Sequence, residues 1–185
     1  AGPGDVAGRF QWWLRRLGAG GEVLAPGRPD APVQVVDARD LGAWISRMVE
    51  GGGSGTYNAA GCDVPLTMRA LLEAARAVAG SDARLTWVGD AFLLERGLNP
   101  WVELPFWERP EEYGTHRIDD RRARAAGLVF RPLLQTLRDV AAEGPLPVPA
   151  LPVGITSERE AELLRAWHAH AAGHAPEEAL AGAAA

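Results

Sequence analysis

The residues of this chain that could do metal chemistry lie close to its C-terminus. His170 and His174 are four residues apart, which places them on one face of a helix, and His168 stands two residues before the pair. Zinc sites combine such histidines with further histidine, cysteine or carboxylate ligands. Here no carboxylate is interleaved, and His168 is displaced around the helix. We therefore predict no metal site.

Nucleophilic and acid–base chemistry finds equally little support. Cys62 is the single cysteine, and no motif identifies His116 as a base for it. No serine stands in a Gly-x-Ser-x-Gly turn. The charged run 119–124, DDRRAR, is explained by helix capping and a solvated helix face. We assign no catalytic residue to this chain.

The glycine run GGGSG at 51–55 superficially resembles a phosphate-binding loop. Such loops join a strand to the N-terminus of a helix, whereas this run follows a predicted helix and precedes a predicted strand at 56–59. All 19 cationic side chains are arginines, because the sequence contains no lysine. Mechanisms that need a lysine cannot be completed by these residues.

The elements that must position any site are organised around residues 33–50. Residues 33–36, VQVV, are typical of a strand buried on both faces, and Asp40 stands where the N-cap of the next helix belongs. That helix has a continuous apolar face formed by Leu41, Trp44, Ile45, Met48 and Val49, and Gly51 ends it. Since a buried parallel strand needs neighbours, we expect most strands of the sheet to lie outside this chain.

Apolar periodicity and capping residues predict five further helices before residue 144, beginning near Phe10, Pro65, Asp90, Asp119 and Pro132. The second of these is expected to start at Pro65 and Thr67 and to end at Gly80. Short strands are predicted at 22–24, 56–59, 84–88 and 128–130. In the first helix the buried face is Phe10, Trp13, Leu14 and Leu17, so Trp12 is expected to be exposed. The alternation of strands and helices indicates an α/β fold.

We predict four parts along the chain. Residues 1–143 form the main body, 144–155 a proline-rich linker, 156–174 a docking helix and 175–185 a frayed tail. The docking helix opens on a capping box, Ser157 with Glu160. Its contact stripe is expected to be Leu164, Trp167 and Ala171.

Composition excludes several classes of partner. A net charge of -5 and a pI near 5.4 argue against nucleic acid and anionic membranes, which require a cationic surface. No apolar run approaches the roughly 20 residues of a membrane span, and the single cysteine fits a reducing cytoplasm. The chain opens on AGPGD without a methionine, which we interpret as a processed or truncated terminus.

An irregular aromatic stretch at 97–116 is predicted to be either the wall of a pocket or a satellite hydrophobic cluster. Trp107 and His116 lie in this stretch, and Trp12 lies in the first helix. None of the three rings belongs to the predicted apolar face of a helix. If a pocket exists, we predict that these rings form part of its wall; the competing interpretation is plain packing.

Six segments in order are similar to the C-terminal part of the NAD-dependent epimerase/dehydratase family, within the extended and atypical short-chain dehydrogenase/reductases. They are GPGD at 2–5, RFQWW at 9–13, VQVVDARDL at 33–41, GTYNAAG at 55–61, LTMRALLEA at 66–74 and HRIDDRRARAAGLVFRPLLQTL at 116–137. The resemblance implies that the chain supplies the last strands of a Rossmann-like parallel sheet plus a smaller mixed α/β substrate-binding lobe. An upstream Rossmann half would hold the glycine-rich turn and the Tyr-x-x-x-Lys region.

The same resemblance implies NAD or NADP as cofactor, with Gly2 and Pro3 beside it, and Asp5, Arg9 and Trp12 on the substrate side. Members that act on nucleotide sugars commonly place an arginine before the strand where this chain has Val33 and Gln34. Arg28 and Arg109 are the candidates to replace it.

The implied function is the substrate-binding portion of an NAD(P)-dependent epimerase/dehydratase or reductase, inactive without its nucleotide-binding half. The expected partners are a small-molecule substrate and either the N-terminal Rossmann half or further copies of this chain. The alternative is a noncatalytic binding or dimerisation module of the same ancestry.

Overall fold

The structure is a computed structural model that describes residues 1–144 and 153–173. The chain divides into two compact units, Ala1–Gly154 and Ile155–Ala185. The first unit contains six α-helices among its described residues: α1 Arg9–Gly18, α2 Ala38–Glu50, α3 Met68–Ala79, α4 Asp90–Glu95, α5 Arg121–Ala125 and α6 Leu133–Ala142. Its strands are β1 Glu22–Pro26, β2 Pro32–Val33, β3 Leu66–Thr67 and β4 Arg84–Val88, and a 3₁₀-helix covers Pro110–His116.

The centre of the first unit is a parallel strand pair. β1 lies beside β4 with Glu22 opposite Arg84 and Pro26 opposite Val88. Val23 and Leu24 of β1 are fully buried, as expected for a parallel strand covered on both faces. Parallel strands alternating with helices make the fold α/β, as the sequence predicts.

One layer of helices packs together in this unit. α1 contacts both α3 and α6, and α3 contacts α6. The predicted inner faces are confirmed, since Phe10, Trp13 and Leu17 of α1 are at most 2% exposed and Leu137 of α6 is fully buried. Burying such side chains contributes roughly 1.5–3 kcal/mol each. If further strands lie outside this chain, the helix faces that carry Phe10, Trp13, Trp44 and Ile45 are expected to be exposed. That expectation is wrong for the first three, which this chain covers itself, whereas Ile45 is 48% exposed.

The strand predicted at 33–36 is wrong. Only Pro32–Val33 is extended in a ladder, antiparallel to Leu66–Thr67. The backbone groups beyond Val33 bond elsewhere: the Gln34 N–H donates to His116 Nδ1, the Cys62 thiol donates to the Val35 carbonyl, and the terminal ammonium of Ala1 donates to the Val36 carbonyl. Because these backbone N–H and C=O groups are already hydrogen-bonded, residues 34–36 cannot pair with a neighbouring strand.

The start of α2 also differs from the prediction. Asp37, not Asp40, is the N-cap, and its carboxylate accepts from the Arg39 N–H. On the predicted apolar face, Trp44 is buried, whereas Ile45 and Val49 are 48% and 74% exposed. Ile45 and Val49 are therefore left exposed on this face, whereas Leu41 and Met48 are partly buried against the cluster that contains Trp44.

Two predicted strands, 56–59 and 128–130, are irregular in the structure. Their side chains pack around Trp44 instead, in a cluster that includes Ala123, Leu128 and Phe130. Side-chain packing against one helix therefore replaces strand pairing in this region. Two helices also begin one residue away from their predicted caps, α4 after Gly89 and α5 after Asp120.

The second unit contains α7, Ser157–Gly173. The Thr156 hydroxyl, rather than that of Ser157, accepts from the Arg159 N–H. Its buried residues are Glu160, Leu163 and Leu164, so the predicted stripe is correct at Leu164 and wrong at Trp167 and Ala171, because the buried face is rotated about the helix axis. Most of the predicted linker, His174 and the predicted tail lie outside the described residues. Within the described ranges, no helix combines the length and apolarity that a bilayer crossing requires.

Candidate functional site

The aromatic stretch predicted at 97–116 docks onto α1. The Trp13 indole N–H donates to the Pro105 carbonyl at 2.9 Å, and the rings of Phe10 and Phe106 are 5.1 Å apart. Trp101 and Phe106 both adopt left-handed backbone conformations, with φ of 67° and 68°. Bulky residues rarely occupy that region, and such strain is concentrated at functional sites. These two residues therefore mark the stretch as a candidate site.

His116 is held on both ring nitrogens. The Gln34 backbone N–H donates to Nδ1 at 3.1 Å, so the ring proton belongs on Nε2, which faces Glu108 Oε1 at 3.1 Å. The imidazole is 8% exposed and lies 5.5 Å from the Trp101 ring. With both nitrogens engaged, His116 is placed to orient Glu108 rather than to exchange protons with a ligand.

A cleft of about 390 Å³ opens beside this pair. Trp101, Glu108 and Arg109 are among its lining residues. Behind the cleft wall, the Arg9 guanidinium lies 4.9 Å from the Trp101 ring centre, in cation–π contact. The buried Arg9 Nε has no hydrogen-bond partner among the described residues. The cleft thus offers an aromatic face, a carboxylate and a guanidinium on one surface.

A second cluster lies where β1 and β4 end. The indole N–H of Trp107 and the hydroxyl of Tyr113 both donate to the Asp90 carboxylate, at 2.8 Å and 2.9 Å. Burial and the neighbouring Asp90 carboxylate raise the pKa of Tyr113 above its usual value, so the phenol stays protonated as a donor. Gly27 has φ of 67°, and a Cβ there would meet Asp90, Tyr113 and Trp107 within 3.1 Å. Ligands of open α/β sheets bind at this carboxyl edge of the strands.

The structure brings four predicted site residues to these two clusters and separates the rest. Arg109 lines the first cleft, and Arg9 and His116 contact its lining residues Trp101 and Glu108, although His116 itself lines a neighbouring cleft of about 280 Å³. Trp107 is 2% exposed and belongs to the Asp90 cluster. Asp5 accepts from the Ala7 N–H within a turn.

The predicted exposure of Trp12 is wrong. Its side chain is 7% exposed, packs edge-on against Trp13 at 4.6 Å and lies against Gly154. The helical pattern assigned Trp12 to the outer face of α1. It could not show that a segment more than 100 residues away covers that face.

Gly2 lies against a buried ionic network. A Cβ on Gly2, whose φ is 113°, would come within 2.9 Å of Asp37 Oδ1. Burial alone would raise the pKa of Asp37, but hydrogen bonds from Arg39 and Thr136 and the charge of Arg131 outweigh it and lower the pKa to about 2. The need for glycine at position 2 is therefore explained by Asp37.

The fit of NAD or NADP to these residues is limited. Gly2 and Pro3 belong to a turn in which the Asp5 N–H donates to the Gly2 carbonyl. Among the described residues, no glycine-rich turn joins a strand to a helix N-terminus in the way that cradles a pyrophosphate. The dinucleotide therefore does not fit a site built from the described residues alone.

Cys62 is buried, and burial raises the pKa of its thiol. Thiols in such surroundings are inert. The described residues contain no group of three or more potential ligands that could hold a metal ion.

Sequence reasoning missed Trp101, Glu108, Asp90 and Tyr113. Trp101 and Tyr113 lie within the stretch that was predicted to be a pocket wall or a satellite cluster, so composition did indicate their region. Glu108 and Asp90 carried no signal, because each acquires its role from a partner 8 to 23 residues away along the chain. Such spacings within an irregular loop do not match the periodicity of a helix or a strand, so they could not be predicted from the sequence.

In comparisons with known proteins, no family model matches the sequence, and no curated protein does. Among solved structures, the chain is similar to the structure of RMD from Pseudomonas aeruginosa complexed with NADPH, with a TM-score of 0.48 and 16% sequence identity. The similarity covers 76% of this chain and 41% of that one, so the chain spans about two fifths of the length of that protein.

Proposed function

We propose that this chain is the substrate-binding lobe of an NAD(P)-dependent epimerase/dehydratase or reductase. In this proposal a nucleotide-binding half supplies the cofactor site, and the chain alone is not catalytically competent. The segment order that resembles the epimerase/dehydratase family supports the assignment.

The observation that carries the proposal is the cleft beside His116. Its volume of about 390 Å³ falls within the range of small-molecule sites. The Trp101 ring presents an apolar face, while Glu108 and Arg109 present charged groups of opposite sign on the same surface. A polar ring such as a sugar can stack on the indole and hydrogen-bond to both charged groups.

Each residue then has a distinct role. Glu108 accepts a hydrogen bond from a substrate hydroxyl, and His116 positions Glu108 through its Nε2–H. Arg9 holds the Trp101 ring from the side of α1. Arg109, which is exposed on the cleft, meets an anionic group of the substrate.

The test compares the 185-residue chain with the protein that includes the region encoded upstream of Ala1. We expect NADPH or NADH to bind, and turnover to occur, only in the longer protein. Fluorescence titration with both nucleotides measures the first, and a screen of sugar substrates measures the second. Micromolar, saturable binding of a nicotinamide nucleotide to the 185-residue chain alone would contradict the proposal.

Variants of the longer protein then locate the substrate. Glu108→Gln should raise the KM at least about tenfold, because a charge-assisted hydrogen bond is worth roughly 1.5–3 kcal/mol, while the Kd for the nucleotide stays unchanged. Glu111→Gln is the matched control, since Glu111 lies three residues further along the chain, is exposed, and is not among the lining residues of the cleft. Equal effects of the two substitutions on KM would remove Glu108 from the site.

The second candidate is a noncatalytic binding or dimerisation module, favoured by one observation. Ile45 and Val49 lie one turn apart on α2 and are 48% and 74% exposed, an arrangement that suits a protein contact. Sedimentation at micromolar concentration, together with the turnover measured in the longer protein, separates the candidates. A dimer of the 185-residue chain that Val49→Asp dissociates would support the module.

A further inference from the structure

A further cavity lies between α1, α3 and α6. Its volume is about 330 Å³. Leu14, Ala79, Val140 and Ala141 contribute apolar walls, and the groove follows α1 from Gln11 to Gly18, which is about 10 Å at 1.5 Å per residue. None of the residues assigned to the cleft beside His116 lines it.

Gln11 is the feature of this groove that packing does not explain. Its side chain is in the wall, the residue is 6% exposed, and neither Oε1 nor Nε2 has a hydrogen-bond partner in the described parts of the chain. Leaving a buried polar group unsatisfied costs roughly 1–3 kcal/mol. A hydrophobic side chain of the same size would avoid that cost. Packing alone would therefore favour an apolar residue at position 11, which indicates another role for the amide.

Arg15 stands one turn further along the same face of α1. Its side chain also lines the groove, but it is exposed and forms no ion pair within residues 1–144 and 153–173. Among the described lining residues, Gln11 and Arg15 are the two with polar side chains. A ligand for this groove therefore meets an amide that both donates and accepts, a cation at the mouth, and apolar walls.

We infer that this groove binds a small hydroxy acid with an apolar chain, at a site separate from the proposed substrate cleft. A hydroxyl group accepts from Gln11 Nε2–H and donates to Oε1, so one group satisfies both orphaned atoms. The carboxylate pairs with the Arg15 guanidinium at the exposed end. The chain lies against Leu14, Ala79 and Val140. A plain fatty acid would leave the Gln11 carbonyl unpaired, and an alcohol would leave Arg15 unpaired.

The test uses 3-hydroxyoctanoate as the probe, with octanoate and 2-octanol as matched ligands that lack the hydroxyl or the carboxylate. Calorimetric titration of the 185-residue chain should give a Kd for the hydroxy acid at least about tenfold below that of either matched ligand, as each lost polar contact removes about one tenfold step. In ¹H–¹⁵N spectra the side-chain NH₂ signals of Gln11, identified by their loss in Gln11→Leu, should shift on titration.

Three variants distinguish the site from packing alone. Gln11→Leu should raise the Tm and abolish the preference for the hydroxy acid over octanoate, whereas Arg15→Gln should abolish its preference over 2-octanol. Ala141→Trp, which fills the groove from an exposed position, should weaken binding of the hydroxy acid at least about tenfold. Arg138→Gln is the control for loss of charge, on a residue of α6 that does not line the groove.

The inference is overturned if the unmodified chain shows no saturable binding of 3-hydroxyoctanoate. It is equally overturned if Gln11→Leu binds all three ligands as the unmodified chain does, even when its Tm rises. Neither result bears on the substrate cleft, since no residue is shared between the two sites.

Discussion

The helices α1 and α2 have similar sequence patterns, but their apolar faces are buried to different extents in the structure. Each has one continuous apolar face. In α1 that face is covered by α3, α6 and the aromatic stretch, and Trp13 and Leu17 are at most 1% exposed. In α2 only Trp44 is buried, and the helix is tied down at its N-terminus by Asp37 and Arg131. Amphipathicity therefore predicts that a face can be buried, not that this chain buries it.

The sharpest test of this difference removes one large apolar side chain from each helix. Trp13→Ala should lower the free energy of unfolding by about 3–5 kcal/mol, because it leaves a cavity and also loses the bond to Pro105. Ile45→Ala, on the exposed face of α2, should change it by less than about 1 kcal/mol. Urea unfolding followed by circular dichroism measures both. Similar losses in the two variants would mean that α2 is packed as firmly as α1.

The ionic attachment of α2 is tested at Asp37. Asp37→Ala leaves the Arg39 side chain and the Thr136 hydroxyl without their acceptor and should cost about 2–4 kcal/mol. The matched control is Asp139→Ala, which removes a half-exposed partner of the same Arg39 and should cost less than about 1 kcal/mol. If the two variants are equally stable, the N-cap network does not hold α2.

Acid should weaken α2 through the same carboxylate. The folded pKa of Asp37 is about 2, below the 3.8 of an unperturbed carboxyl, so its contribution is complete above about pH 4 and is lost as the pH falls towards 2. The size is about 1–2 kcal/mol after allowance for solvent around the partly exposed Arg39. Urea midpoints of the unmodified chain and of Asp37→Asn should converge at low pH. Parallel pH profiles would exclude Asp37 as the titrating group.

The smallest effect is expected at the outer end of the same helix. Val49→Ser should change the free energy of unfolding of the monomer by less than about 0.5 kcal/mol, since Val49 is 74% exposed. A loss above 1 kcal/mol that grows with protein concentration would show instead that Val49 is covered by a second copy.

Prediction from sequence succeeded where an element is specified locally. The α3 boundaries followed from Thr67, whose hydroxyl accepts from the Ala70 N–H, and from Gly80, which takes the left-handed conformation at the helix end. The strand Arg84–Val88 was found from its alternation. The strand at 33–36 failed because its apolar run is compatible with a sheet that these residues do not join.

The candidate site was less accessible to prediction. Arg9, Arg109 and His116 were named from the sequence and lie around the cleft, but their partners Trp101 and Glu108 were not. Trp12 and Trp107 were expected at a pocket wall and are buried in packing. An aromatic ring that faces solvent and one that a distant segment covers have the same local sequence pattern.

The sequence by itself determined the α/β class, most helix boundaries, the inner faces of α1, α3 and α6, and the exclusion of lysine-dependent chemistry. These follow from periodicity, capping residues and composition, which act within a few residues of one another. The tertiary structure alone decided that β1 pairs with β4, that His116 contacts Glu108 beside a cleft, and that the Gln11 side chain is buried without a hydrogen-bond partner among the described residues. Those contacts depend on how distant segments meet, because the free energy of burial is shared among residues that no local pattern connects.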